Sequence, residues 1–182
     1  MRGEVKIFAD RRAQVWVETV IYLLIAFVMI GLVLSFVKPK IEQIRDKAII
    51  EQSIEVLNNV DQVFSEIEKT PGNKRIVEIG IKKGEFIIDS ANDLLEFYIQ
   101  SSYVYSEPGE NVTIGKINIT TVSKGKYNEV TLKVDYSGQY NMTYKGKDES
   151  KTLSKASVPY QLIISNTGED SNQKTVINFD LG

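Results

Sequence analysis

Neither histidine nor cysteine occurs among the 182 residues. Together these absences remove zinc and iron–sulfur ligation, thiol nucleophiles, Ser–His triads and disulfides. What remains shows no nucleophile–base pair and no metal cluster, so neither enzyme activity nor a cofactor is expected. A formal net charge of −2 gives no electrostatic case for nucleic acid as a partner. The acidic pairs Asp148-Glu149 and Glu169-Asp170 lack the D-x-D-x-D-G spacing of a calcium loop and read as solvated turn residues. Charge is also missing along one stretch: from Thr19 to Val37 no side chain is charged, whereas the rest of the chain is polar and moderately acidic.

At this length the chain holds one ordinary domain plus an accessory segment. Its 42% hydrophobic and 25% charged residues are those of a folded protein rather than a disordered one. No tandem repeat or low-complexity tract interrupts it.

The uncharged run TVIYLLIAFVMIGLVLSFV, as a helix, crosses roughly 28 Å and so matches a bilayer core. A secretory signal peptide has a shorter apolar region ending in a small-residue cleavage site, and neither feature is present. Before the run, MRGEVKIFADRRA carries Arg2, Lys6, Arg11 and Arg12 against Glu4 and Asp10, a net of +2, which keeps this end in the cytoplasm. Beyond Pro39, residues 41–69 contain neither Gly nor Pro, and helix resumes or continues until Thr70-Pro71-Gly72-Asn73 stops it. On a helical projection Ile49, Val56, Val60, Val63 and Ile67 form a stripe flanked by Leu57 and Phe64, opposite Glu51, Glu55, Asn58, Gln62 and Glu66. Ile41, Ile44 and Ala48 point elsewhere.

After Asn73 the period becomes two. Val77, Ile79 and Ile81 alternate, Lys82-Lys83-Gly84-Glu85 turns, and Phe86 and Ile88 resume, which reads as a hairpin. Further strand-like runs cover 94–105, 112–122, 130–136, 140–144, 158–164 and 175–181. Six to eight short strands following a long helix imply an α+β fold: a long N-terminal transmembrane and amphipathic helix packed on a mainly antiparallel β-sheet head. The expected organisation is a cytoplasmic leader peptide (1–13), a transmembrane, polymerising helix (14–38), an amphipathic helix entering the head (39–70) and an extracellular β-rich head (71–182).

Arg12-Ala13-Gln14, with Glu18 four positions after the Gln and the apolar run abutting, resembles archaeal type IV prepilins with a class III signal peptide. The match covers about the first 37 residues. The family often carries Ser where this chain has Trp16. The resemblance implies cleavage between Ala13 and Gln14 by a prepilin peptidase, a membrane-resident precursor, and assembly by pilus machinery into a helical filament of identical subunits at the cell surface, serving adhesion or attachment. A minor pilin, a pseudopilin or a bacterial Tad-type pilin-like protein would carry nearly the same sequence features.

Glu18 stands out on physical grounds as well. A carboxylate near the end of a membrane helix is costly unless it is paired, reaches the interface or has a function. Cleavage would supply a partner, the new α-amino group of Gln14. The other reading places Glu18 at headgroup level, favoured by the helix dipole. Pro39 is either a hinge or a simple interfacial break, and Trp16 and Tyr22 are interfacial aromatics or bundle-packing residues. Asn111-Val-Thr113, Asn118-Ile-Thr120 and Asn141-Met-Thr143 are candidate N-glycosylation acceptors, or ordinary strand and turn residues. Tyr98, Tyr103, Tyr105, Tyr136, Tyr140 and Tyr144 either form an adhesive surface or pack on sheet faces. The competing function is a monomeric, membrane-anchored extracellular binding module with an uncleaved signal anchor.

Cleavage separates the two functions. Ala13→Leu is expected to block processing sterically, leaving Met1 on the membrane-bound protein. Intact-mass analysis showing unchanged processing in this variant would count against the prepilin resemblance.

Overall fold

A computed structural model of the chain describes the backbone from Arg11 and the side chains from Val15 to Gly182. The cleavage-motif side chains of Arg12, Ala13 and Gln14 therefore lie outside the described residues, as does most of the leader. The chain divides into two compact units, Met1–Ile41 and Glu42–Gly182, and the helix α1 (Arg11–Ile67) contributes to both.

In the first unit every large apolar side chain from Val15 to Val37 is exposed. This part of α1 has no protein core to enter, and it is long and apolar enough to cross a membrane. Its few hydroxyls are already satisfied. Thr19 Oγ1 donates to the Val15 carbonyl at 2.9 Å and Ser35 Oγ to that of Gly31 at 2.8 Å, which hides both groups against the helix. Pro39 lies inside α1, where it removes the donor that would otherwise reach the Ser35 carbonyl.

The second unit is a β-rich head around the rest of α1. Ten strands follow the helix: β1 (Lys74–Ile79), β2 (Glu85–Asp89), β3 (Leu94–Ser101), β4 (Asn111–Ile114), β5 (Ile117–Ser123), β6 (Asn128–Asp135), β7 (Tyr140–Tyr144), β8 (Lys151–Ser154), β9 (Tyr160–Glu169) and β10 (Thr175–Leu181). They form two sheets rather than one. The larger has the order β4-β5-β6-β3-β2-β8 and the smaller the order β1-β9-β10-β7. All neighbours pair antiparallel except β7 and β10, which run parallel. The fold is thus α+β, with a helix packed on a mainly antiparallel head.

Successive strand residues point to opposite faces, and burial follows that period: Val130, Leu132 and Val134 of β6 are buried, as are Leu95, Phe97 and Ile99 of β3. These side chains, the inward residues of the smaller sheet and one face of α1 make a single apolar core. On the helix that face comprises Ile50, Ile54, Leu57, Val60, Val63, Phe64 and Ile67, while Glu51, Glu55, Asn58, Gln62 and Glu66 are exposed. The stripe is therefore rotated slightly from its sequence-based position, with Ile49 and Val56 only partly buried at its margin. Ile41, Ile44 and Ala48 lie off the core face and are exposed.

One expected pairing is wrong. The segments around Val77–Ile81 and Phe86–Ile88 have buried apolar positions, yet β1 pairs with β9 while β2 pairs with β3 and β8. The connection crosses from one sheet to the other instead of closing a hairpin. Alternation identifies the inward face of a strand but not its neighbour. Within the crossing, Gly84 has φ +82°, and a Cβ there would lie 2.1 Å from the Tyr98 carbonyl oxygen. Backbone shape and close approach both require glycine. The expected 112–122 strand is in fact a hairpin, β4 and β5, folded at Gly115 and Lys116.

Helix α1 ends against the smaller sheet. Asn166, which is buried, donates from Nδ2 to the carbonyls of Ile67 and Glu68, each at 2.9 Å, and its Oδ1 accepts from Gly168 N at 2.8 Å. Carbonyls at a helix C-terminus need such partners. Near the same end, Phe64 packs against Tyr136, Tyr140 and Phe179 at centroid distances of 4.8, 5.3 and 5.8 Å.

A fragment beginning at Glu42 is expected to fold on its own. Val60→Asp should destabilise it by more than about 4 kcal/mol, because an unpaired carboxylate would enter a fully packed layer. Circular dichroism melts that leave this variant as stable as its parent would refute the packing described.

Candidate functional site

Glu18 is the one charged side chain between Arg12 and Lys38. Its partner in the structure is Tyr22, one helical turn further on, whose hydroxyl donates to Glu18 Oε1 at 3.0 Å. Residues four apart on a helix are neighbours, so Glu18 has one hydrogen bond within its own helix and keeps further acceptor capacity. Tyr22 thereby gains a polar role that neither interfacial anchoring nor bundle packing describes.

The acceptor patterns at Asn111 and Asn118 face each other. In the β4–β5 ladder Asn111 lies opposite Thr120, and Thr113 lies opposite Asn118. Directly opposed residues share a face, and Thr113 Oγ1 donates to Asn118 Oδ1 at 2.9 Å. Asn111 is exposed. Asn141, on β7, differs: its Nδ2, the atom a glycan would occupy, donates to Asp170 Oδ2 at 3.1 Å. Asn111 is therefore the most open of the three.

Asp170 is held by its own turn. Its Oδ1 accepts from Asn172 N at 2.8 Å and Lys174 N at 2.9 Å. The Lys174 backbone bond, with help from Asn141, keeps its carboxyl below the usual range. Among the described residues no group of three acidic side chains is placed to hold a metal ion.

Two of the tyrosines belong to the core. Tyr136 and Tyr140 are buried; Tyr136 donates to Asp61 Oδ1 at 3.2 Å and Tyr140 to Glu68 Oε2 at 2.5 Å. Burial, followed by the neighbouring carboxylates, pushes both phenols well above their ordinary value. Tyr103, Tyr105 and Tyr144 pack at the margin of the core.

A polar node that sequence reasoning missed sits where α1 enters the head. Asp46 is buried although it lies among helix residues that read as polar. Its Oδ1 accepts from Lys83 Nζ at 2.6 Å, and its Oδ2 accepts from Ser102 N at 2.6 Å and Ser102 Oγ at 2.8 Å. One carboxylate thus ties the helix to the β1–β2 connection and to the end of β3. Burial alone would raise its pKa. The bonds from Lys83 and Ser102 outweigh that effect and leave it below the ordinary value. Three bonds to residues 37 and 56 positions away in sequence leave no local signature.

The chain matches no protein-family model, and neither a curated protein nor a solved structure is significantly similar to it.

Because Asp46 has a lowered native pKa, its contribution is fully present above the unfolded-state value of about 4 and is lost as pH falls through the native value. Asp46→Asn should cost about 2 kcal/mol at neutral pH. The gap between the melting temperatures of parent and variant should then close as the solution is acidified below pH about 4. A gap that stays constant with pH would show that the carboxylate charge contributes nothing.

Proposed function

We propose that this chain is the precursor of a structural subunit, a pilin, of an archaeal type IV pilus. The observation that carries the reading is the order Arg12-Ala13-Gln14, then Glu18, then an uncharged apolar run. The exposed apolar side chains from Val15 to Val37 support it, since such a helix suits lipid before assembly and the packed helices of a filament afterwards. The separately packed head is compatible with a subunit that displays its folded domain outside the filament core. In this reading the prepilin peptidase cuts after Ala13. The α-amino group of Gln14 then pairs with Glu18 of its own or a neighbouring chain, and the assembled filament serves adhesion or attachment at the cell surface.

One observation favours the second reading, a monomeric anchored binding module. The Tyr22 hydroxyl already gives Glu18 a partner within its own helix. A neutral hydroxyl, however, does not neutralise the carboxylate. Desolvating an unpaired amino terminus or carboxylate costs several kcal/mol, and pairing the two offsets much of it. That pairing would also set axial register, because the apolar run by itself can slide.

Glu18→Val is expected to insert and be cleaved normally, yet to abolish or shorten filaments, with Glu18→Asp milder. Electron microscopy of cells making the processed Glu18→Val protein decides between the readings. Abundant normal filaments would reduce Glu18 to an interfacial residue, and an intact Met1 on the mature parent protein would favour the anchored module.

A further inference from the structure

We propose that a basic cleft in the head binds the phosphate-bearing headgroups of anionic phospholipids, holding the head to the membrane in which the same chain is anchored. The cleft encloses about 450 Å³, and its walls include the start of the head's helical segment, the β1–β2 connection, the end of β3 and the residue after β8.

Its cations are Arg45, Lys82, Lys83 and Lys155, and its carboxylates are Glu42 and Asp46. Four charges minus two leaves +2 on the cleft, within a chain whose formal net charge is −2. The distribution matters more than the sum. Asp46 is buried and consumed by Lys83 and Ser102, so it fixes the walls without neutralising the other cations. Arg45, Lys82 and Lys155 line the cleft with no ion-pair or hydrogen-bond partner among the described residues. Gln100 and Tyr127 add neutral polar groups to the wall. A guanidinium beside two ammonium groups suits a phosphate, the guanidinium by paired donors and the lysines as point charges.

The length of chain identifies the source of that phosphate. Arg45 follows Val37, the last residue of the apolar run, by only eight positions of the chain, which makes it a juxtamembrane residue once that run is inserted. The field of an anionic leaflet extends over a Debye length of about 8–10 Å, and basic side chains next to a membrane span are attracted within it. Once the apolar run is in a bilayer, Arg45 cannot be far from headgroups. Headgroup binding by the cleft requires membrane insertion and not filament assembly, so it holds for the inserted chain whether or not a filament forms.

The test uses the full chain in nanodiscs of phosphatidylcholine, with or without added phosphatidylglycerol, at low salt. Amide hydrogen exchange in residues 81–84 and 100–103 should slow several-fold when phosphatidylglycerol is present, and high salt should abolish the effect. The combined Arg45→Gln, Lys82→Gln and Lys155→Gln variant should lose the protection, whereas Lys145→Gln with Lys147→Gln, elsewhere on the head, should keep it. Equal exchange of the unmodified chain in the two lipids overturns the proposal without reference to any variant. Equal protection by inorganic phosphate added to phosphatidylcholine discs overturns the lipid assignment.

Discussion

The apolar face of α1 from Ile50 to Ile67 leaves water by joining one core with the inner residues of two sheets. Each sheet buries one side and leaves the other half-exposed. The inner residues of both sheets and this face of the helix belong to one core. At about 25 cal/mol per Å² of apolar surface removed from water, this shared burial contributes most to holding the head together. The polar contacts serve to place it. Asp46 fixes the helix where it enters the head, Asn166 receives its last carbonyls, and Asp61, bonded to Lys116 at 2.8 Å and to Tyr136 at 3.2 Å, fixes it in between.

The earlier turns of the same helix face a different requirement. From Val15 to Val37 they carry apolar side chains on every side, and helical hydrogen bonding, which Pro39 interrupts only at the Ser35 carbonyl, is the condition for a segment in hydrocarbon. A helix with one apolar face would not suit lipid, and a helix apolar all round could not be the surface helix of a soluble head. The change between these patterns falls near Pro39. Glu18 is the exception inside the apolar part, and an exception in so uniform a segment is where a specific interaction has to be sought.

Patterns carried by neighbouring residues are legible in the sequence; those made by distant ones are not. Period-two alternation locates the inward residues of β1 and β2, strand-like runs locate β7 and β10, and helical periodicity finds most of the core face of α1. The phase of that face is slightly rotated, with Ile50 and Ile54 buried and Ile49 and Val56 at its margin. β8 escapes notice because Lys151-Thr152-Leu153-Ser154 has one apolar residue and no alternation to detect. Partner choice is invisible for the same reason: nothing local to Val77 or Phe86 states which sheet each will join. Of the site residues, Glu18 stands out by its surroundings, and Tyr22 could be paired with it by four-residue spacing alone. The Asp46 node and the cleft beside it gather residues from remote segments, a grouping that only the folded chain makes.

The place of β10 imposes an order of events on the head. This strand, later in sequence than every other, lies between β9 and β7 rather than at an edge, and its Phe179 reaches Phe64 on the helix. While the chain emerges from a ribosome or across a membrane, the larger sheet has all its strands before β9 and β10 exist. The smaller sheet has a gap in its middle until residues 175–181 arrive. Until then β7 has no neighbour in its sheet, and the end of the helical core stays open to water. Residues 175–181 thus join the two halves of the smaller sheet and cover Phe64 of the helix at once, so that losing this strand would open far more than its own length of chain.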